Sequence, residues 1–379
     1  MYSISLCMIV KDEEAVICRC LDSVRDLVDE IIIVDTGSSD RTKALAAEYT
    51  ENIFDFPWID DFAAARNFSF SKATKDFILW LDADDVFEEE DRKSFRENRK
   101  ALDLSVSMVM MKYHTAFDEN GRPTFSYYRE RLLQRRMNHR WVGAIHEVIL
   151  RRGKTIYWET AVTHKKLVTN DPDRNLRIFE KLIAEGKTLD ERQQFYYGRE
   201  LLGHGQYEKA AGVLEGFLQS EYGWVENKIT ACQDLSACYL KLEEEEKAAQ
   251  ALFRSFLYDR PRAEVCCDIG RYFLQRRRYE PAVYWYKAAL ECRRDAASGG
   301  FFSPDCYDFI PYLQLCVCYD RMGDLDQAFY YHKKSQLCKP ENPSVLYNEK
   351  YFESKRKERE AAGGDATGAP AEPAAEKRL

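Results

Sequence analysis

Apolar residues come in short unbroken runs through the first 90 positions, separated by segments with helical spacing. ISLCMIV (4–10) and EIIIVD (30–35) are rich in β-branched residues and almost wholly apolar, the pattern of strands covered on both faces. Between them, EEAVICRCLDSV (13–24) sets Val16, Cys20, Leu21 and Val24 on one helical stripe. SSDRTKALAAEY (38–49) opens with capping residues and continues as a helix. NIFDF (52–56) is a short strand, DDFAAARNFSFSKA (60–73) is helical, and FILWL (77–81) is another buried strand. Strands separated by single helices predict a parallel sheet with right-handed crossovers. Further strands are expected over 104–112 (LSVSMVMMK) and within 145–165, with 123–141 an arginine-rich connection.

After about residue 168 the periodicity becomes purely helical. NDPDRNLRIFEKLIAEG (170–186) starts with capping residues and carries Leu176, Phe179, Leu182 and Ile183 on its apolar stripe. A tetratricopeptide-type repeat follows. Its helix pairs open at Tyr197-Gly198, Leu235-Ser236, Ile269-Gly270 and Leu315-Cys316. Tyr207, Tyr279 and Leu325 mark the entry to second helices. Ala210, Ala248, Ala282 and Ala328 are the small residues that let paired helices approach. An insertion near ASGGFFSPD (297–305) accounts for the widest gap, and the last copy ends at Pro340. The Ala/Pro/Gly-rich stretch from about Gly363 is expected to be disordered. The organisation is therefore an α/β domain over 1–167, a connecting helix over 168–190, an all-α repeat solenoid over 191–342, and a helical end and tail over 343–379.

Charge narrows the function. The 56 basic and 64 acidic residues leave a net charge of −8, which argues against nucleic acid as a partner. Twelve cysteines are scattered without a framework or a CxxC pair, the usage of a reducing cytoplasm. The first residues lack the basic and long apolar regions of a signal peptide. No apolar run is long enough for a membrane span.

The candidate chemistry lies where strands end. Asp12, Asp35 and Asp82 all fall at carboxyl ends of strands, the side on which such sheets bind ligands. In FILWLDADDVF (77–87), Asp82, Asp84 and Asp85 crowd together, which costs free energy unless a cation lies among them. Asp82 and Asp84, two residues apart, can face one divalent metal, and Mg²⁺ or Mn²⁺ suits such oxygen ligands. Other readings stand beside this one. The carboxylates can form a plain solvated turn. DADDV (82–86) also fits the signature of aspartyl-nucleophile phosphatases, although those carry it on their first strand. The chain can also be a non-catalytic scaffold whose repeats bind peptides. DTGS (35–38) matches an aspartic-protease motif, but the second copy and the all-β fold are missing.

SISLCMIVKDEE…LDSV, EIIIVDTGSSDRT, DDFAAARNFSF and DFILWLDADD together resemble the family-2 glycosyltransferases of the Rossmann-like, nucleotide-sugar-binding GT-A fold. The branch joined to tetratricopeptide repeats, which includes bacteriocin-peptide S-glycosyltransferases, is the nearer likeness. RLLQRR…WVGAIHE (131–147) is similar to lipopolysaccharide-core glucosyltransferases. The resemblance covers about residues 3–166 and implies an inverting, metal-dependent hexosyltransferase using a UDP-sugar and Mn²⁺ or Mg²⁺. It assigns Asp35 to the uracil, Val10 and Glu13 to the nucleoside, Asp82 to the ribose side of the DxD motif and Asp84 to the metal. Glu147 is the expected base, with His146 as acceptor-orienting residue or alternative base, although the two can also be a structural pair. His164 resembles a late histidine that completes the metal or diphosphate site, against the plainer reading of a core histidine. Arg66 is a candidate diphosphate contact or an ordinary helix residue. Among Arg129, Arg131, Arg135, Arg136 and Arg140, in part a solvated face, one or two can meet the diphosphate or an acidic acceptor. The repeats point to a peptide or protein acceptor, with a glycan or lipid-linked acceptor second, and to a homodimer.

Overall fold

Alternation along the first strand shows why the apolar runs are continuous. In β1 (Ile4–Val10), Ile4, Leu6, Met8 and Val10 join one buried cluster and Cys7 the other. The first cluster also takes Ile17, Cys20, Leu21 and Val24 of α1 (Ile17–Val24), and the second takes Ala63 and Phe70 of α3 (Phe62–Lys72). A sheet packed by helices on both faces needs apolar side chains on both. In the computed structural model, which describes residues 2–117, 121, 123–167, 171–293, 300 and 303–361, the chain divides into two compact units, Met1–Glu200 and Leu201–Leu379.

The first unit continues through β2 (Glu30–Asp35), α2 (Thr42–Ala46), β3 (Ile53–Asp55), β4 (Phe77–Trp80), β5 (Asp85–Val86), α4 (Glu89–Lys100), β6 (Val106–Phe117), β7 (Pro123–Gln134), β8 (Trp141–Val142), β9 (Val148–Ile149) and β10 (Lys154–His164). The main sheet has the order β3-β2-β1-β4-β7-β6-β10-β5. β3, β2, β1 and β4 are mutually parallel, as their helical crossovers require. The remainder is mixed, because β7 runs antiparallel to both β4 and β6, and β5 antiparallel to β10. The expected all-parallel sheet is thus half of a larger mixed one.

The segment 123–141, expected as a connection, contains the twelve-residue strand β7. Its arginines hid a strand pattern, since Arg131, Leu132, Leu133 and Gln134 are all buried where β7 enters the sheet centre. Helix α4 was also not expected. It buries only Phe95, and its ends carry the signal instead: Glu89, Glu90 and Asp91 in the first turn, Arg99 and Lys100 in the last, matching the helix dipole.

Helices follow throughout. α5 (Arg174–Ala184) buries Leu176, Ile178, Phe179 and Leu182, whereas Ile183 is exposed. After α6 (Glu191–Gly203) come α7 (Tyr207–Gln219), α8 (Val225–Lys241), α9 (Glu245–Arg254), α10 (Ala263–Gln275), α11 (Tyr279–Glu291), α12 (Phe309–Met322), α13 (Leu325–Cys338) and α14 (Pro343–Ala361). Tyr207, Tyr279 and Leu325 begin α7, α11 and α13, at the entry to second helices. Ala210, Ala248, Ala282 and Ala328 are at most 1% exposed, the close helix contact that defines tetratricopeptide-type pairs. Most of the expected insertion (297–305) and the tail from Gly363 lie outside the described residues. No helix among the described residues is long and apolar enough to cross a membrane.

Gly270 shows how tight this packing is. A Cβ there would lie 2.9 Å from the ring of Tyr286, itself 1% exposed. Gly270→Ala is expected to destabilise the protein by about 1–3 kcal/mol, the usual cost of overpacking. Urea unfolding of the full chain followed by helical circular dichroism checks this, and an unchanged midpoint would contradict it.

Candidate active site

The acidic turn after β4 is closed by its own groups. The Asp85 amide donates to the Asp82 carbonyl (3.1 Å), and the Asp82 amide donates to Asp85 Oδ2 (3.1 Å). This turn brings three carboxylates together, and two arginines answer them. Arg131 of β7 meets Asp85 Oδ2 at 3.0 Å, with both side chains fully buried. Its guanidinium lies 3.9 Å from the ring centroid of Trp80 and 4.4 Å from that of Tyr113. Arg66 of α3 donates from Nη2 to Asp82 Oδ1 (2.8 Å) and from Nε to Glu147 Oε1 (2.7 Å). Trp80 and Trp141 flank that guanidinium, each at 5.0 Å. Burial pushes the Asp82 carboxyl up, but Arg66 and then Arg131 prevail and hold it at about 2.

Asp84 lies on the other side of the turn. β10 ends by pairing His164 opposite Asp85, and the Lys165 amide donates to the Asp84 carbonyl (2.9 Å). His164 Nδ1 is then 3.3 Å from Asp84 Oδ1 and 3.5 Å from Asp85 Oδ1. Tyr113 donates its hydroxyl to Asp85 Oδ1 (2.8 Å) and stands 2.9 Å from His164 Nδ1. Hydrogen bonds to Asp84 and then Asp85 lift the His164 pKa to about 9. Ligand atoms of Asp84, Asp85 and His164 all lie within 4.8 Å of one another. Two carboxylate oxygens and an imidazole nitrogen form a donor set that can hold a divalent cation. Glu13, after β1, senses the same charge: burial, then Asp84 and Asp82, push its pKa up to about 7.

The ends of β1 and β2 carry the other group of expected residues. Asp35, 3% exposed, accepts from the amides of Gly37 (3.1 Å) and Ser38 (3.1 Å). The carbonyl of Val10 accepts from the Thr36 amide (2.9 Å) and hydroxyl (3.1 Å), while its side chain lies in the core. Val10 thus fixes the loop that presents Asp35. The Asp12 carboxylate accepts from the Ser39 amide (2.7 Å), and the Asp12 amide donates to Ser38 Oγ (3.0 Å).

His146 and Glu147 are adjacent in sequence but differ in surroundings. Glu147 faces Arg66. His146, in the left-handed region at φ 51°, sends Nε2 to Glu200 Oε1 (3.1 Å) and stacks on Tyr196 at 4.0 Å and 11°. Arg192 Nε donates to the His146 carbonyl (3.1 Å). These contacts fix the turn that carries Glu147.

The structure therefore brings Asp84 and His164 together with Asp85, and joins Asp82, Arg66 and Glu147 in one chain of ion pairs. Asp82 is not among the three clustered ligand groups. Tyr113, Trp80 and Trp141 were not expected in the site, and nothing in their local spacing sets them apart from core aromatics.

The carboxylate-rich turn thus ends the central strand β4, and Asp35 ends β2, on the far side of β1. Residues 5–154 match the model of Glycosyl transferase family 2. The chain is 40% identical over 151 residues to a TPR repeat-containing protein of Synechococcus elongatus, covering 39% of this chain and 36% of that one. It is 24% identical over 229 residues to the SPbeta prophage-derived glycosyltransferase SunS of Bacillus subtilis, covering 55% and 51%. An uncharacterized glycosyltransferase of Rickettsia felis is 37% identical over 90 residues, covering 24% and 31%. The chain thus spans about a third to a half of the length of these relatives. Among solved structures, Pseudomonas aeruginosa pilF superposes with a TM-score of 0.37 at 18% identity, covering 48% of this chain and 74% of that one. The TPR protein YrrB gives a TM-score of 0.36 at 16% identity, covering 48% and 84%. Both scores are too low to define a shared fold. Residues 5–154 are thus similar to family-2 glycosyltransferases, and helix pairs of the tetratricopeptide type follow them in the chain.

Two predictions follow from the charge pairing. Arg131→Met leaves the buried Asp85 charge uncompensated and is expected to cost about 3–5 kcal/mol. Asp85→Asn in the same chain should recover part of that loss. Equal midpoints for the single and double variants in denaturant titrations would contradict the pairing. The second concerns pH. The folded pKa of His164 lies above its unfolded value, so its stabilisation is complete below about 6.5 and is lost as pH rises through about 9. In chelator, wild-type Tm should fall more steeply than that of His164→Gln across this interval; parallel curves would refute the assignment.

Proposed function

We propose that the chain is an inverting glycosyltransferase that moves a sugar from a UDP-sugar to a peptide or protein side chain. The observation that carries this reading is the convergence of Asp84, Asp85 and His164 at the end of the central strand β4, in a segment that matches family 2, with Asp35 at the end of β2 on the far side of β1. Asp35 retains acceptor capacity for a uracil imide beyond the two amides it already binds. Asp84, with Asp85 and His164, would hold Mn²⁺ or Mg²⁺, and the imidazole favours Mn²⁺. When bound, the ion supplies charge neutralisation at the leaving diphosphate. His164 must give up its proton to ligate. Asp82 faces the ribose side, and Arg66 keeps it and Glu147 at a fixed separation.

Glu147 takes the proton of the acceptor in this scheme. His146, held by Glu200, Tyr196 and Arg192, orients the turn rather than serving as the base. The acceptor class is supported by the second unit. Helical repeats suit extended peptides, and a groove of about 1100 Å³ there is lined by Arg260, Lys287, Tyr284, Tyr319 and Tyr331.

The test is UDP release from a panel of UDP-sugars with Mn²⁺, with and without chelator. One donor should be turned over, with release lost in chelator and in Asp84→Asn. Glu147→Gln should lower kcat by about 10²–10⁴-fold without weakening donor binding. If no nucleotide sugar binds, the proposal fails.

A further inference from the structure

The cations of the first unit fall into two kinds. Arg66, Arg92, Arg96, Arg99 and Arg131 meet carboxylates. Arg135, Arg136, Arg140, Arg151, Arg152 and Lys154 are all exposed and form no salt bridge among the described residues. They share one edge of the main sheet. Gln134 pairs with Phe77 at the start of β4, and Lys154 with Val106 at the start of β6. This edge is therefore opposite the acidic turn that follows β4, and Arg135, Arg136 and Arg140 stand away from the carboxylate site.

Local contacts hold the six together. The Arg135 amide and Nε donate to the carbonyls of Asp76 (2.9 Å) and Lys75 (2.6 Å), and Arg136 Nη2 donates to that of Leu104 (2.7 Å). Lys154 Nζ donates to Ser105 Oγ (3.1 Å), one residue further on. Arg135 and Arg140 line one cavity of about 220 Å³. A Cβ at Gly153 would lie 2.8 Å from Ser107 Cβ and 3.4 Å from the Met137 methyl, so the turn carrying Arg151 and Arg152 packs on the turn carrying Arg135 and Arg136. The acids on these segments are engaged elsewhere: Asp76 accepts from the Ser3 amide (2.9 Å) and hydroxyl (2.8 Å), and Asp103 from the Ser105 amide. Apolar groups stand beside the cations. Trp141 of β8 pairs with Ile149 of β9, both buried, which turns Arg140, Val142 and Leu150 outward on the other face of this ribbon. Val142 is 48% exposed and Leu150 60%.

We propose that this edge docks on an anionic lipid membrane. Cations within a Debye length of a negative leaflet, about 10 Å at 0.1 M salt, are drawn to it. Val142 and Leu150 enter the head-group region, where apolar side chains gain by leaving water. A nucleic acid offers the same phosphates but no apolar layer for those two side chains, so a lipid surface fits the edge better. The net charge of −8 on the whole chain opposes the attraction, so docking is reversible and requires this edge to face the lipid. It does not depend on glycosyl transfer.

Flotation of the full chain at low salt tests this, with vesicles of phosphatidylcholine alone or of phosphatidylcholine and phosphatidylglycerol in equal parts. The protein should float with the anionic vesicles only, and added salt should release it. The triple variant Arg140→Gln, Arg151→Gln, Arg152→Gln should bind them about a hundredfold more weakly, from about fivefold per cation. Lysine at the same three positions should keep most of the binding, which separates lost charge from lost fold. Leu150→Ser should weaken binding several-fold with an unchanged urea midpoint. Flotation with neutral vesicles alike, equal binding by the glutamine and lysine variants, or no binding to either vesicle would overturn the inference. Heparin bound as tightly as the anionic vesicles, with no effect of Leu150→Ser, would overturn it too, by assigning the edge to a soluble polyanion.

Discussion

Three carboxylates can crowd the end of β4 because two arginines neutralise them from opposite sides. A buried ion without its partner costs several kcal/mol, and the fold is arranged around avoiding that cost. β7 pairs with β4, which sets Arg131 beneath Asp85. α3 packs on the sheet and sets Arg66 against Asp82. Trp80 serves both cations, since the Arg66 and Arg131 guanidinium groups each lie over its ring. The same arginine on α3 reaches Glu147, so the loop after β8 is held to the acidic turn by one side chain.

This arrangement divides the three aspartates by task. Asp82 and Asp85 are tied to arginines, and Asp84 is left facing His164. The Glu13 carboxyl, held near pH 7 by burial and by Asp84 and Asp82, reports residual negative charge that the arginines do not cancel. A site with excess negative charge beside an imidazole is built to receive a cation. Spacing at a strand end let Asp82 and Asp84 face one metal, and the family likeness put Asp84 on the metal with Asp82 nearer the ribose. In three dimensions the turn rotates Asp82 towards Arg66 and brings Asp85 beside Asp84.

Much of this was legible in the sequence. The parallel half of the sheet showed itself because both faces of β1, β2 and β4 are apolar, and the repeats because Ala210, Ala248, Ala282 and Ala328 must be small. Strand β7 was hidden because Arg129 and Arg131 look solvated until their partners are known. Helix α4 was hidden because it buries a single large residue, Phe95. Asp35, Asp84 and His164 could be picked out from strand ends and the family likeness. Tyr113 and Trp141 could not, because a side chain that contributes by stacking or by one hydroxyl leaves no periodic trace. In sequence His146 could orient the acceptor, serve as an alternative base or form a structural pair with Glu147, and its contacts with Glu200 and Tyr196 were not legible there.

The central claim is that Asp35 and the Asp84–Asp85–His164 group act as one metal-dependent nucleotide site. Calorimetric titration of UDP into the protein with Mn²⁺ tests it most directly. The account predicts UDP binding with Mn²⁺ that is lost in chelator, lost in Asp84→Asn, and weakened in Asp35→Asn. UDP affinity unchanged by chelator and by both substitutions would contradict it.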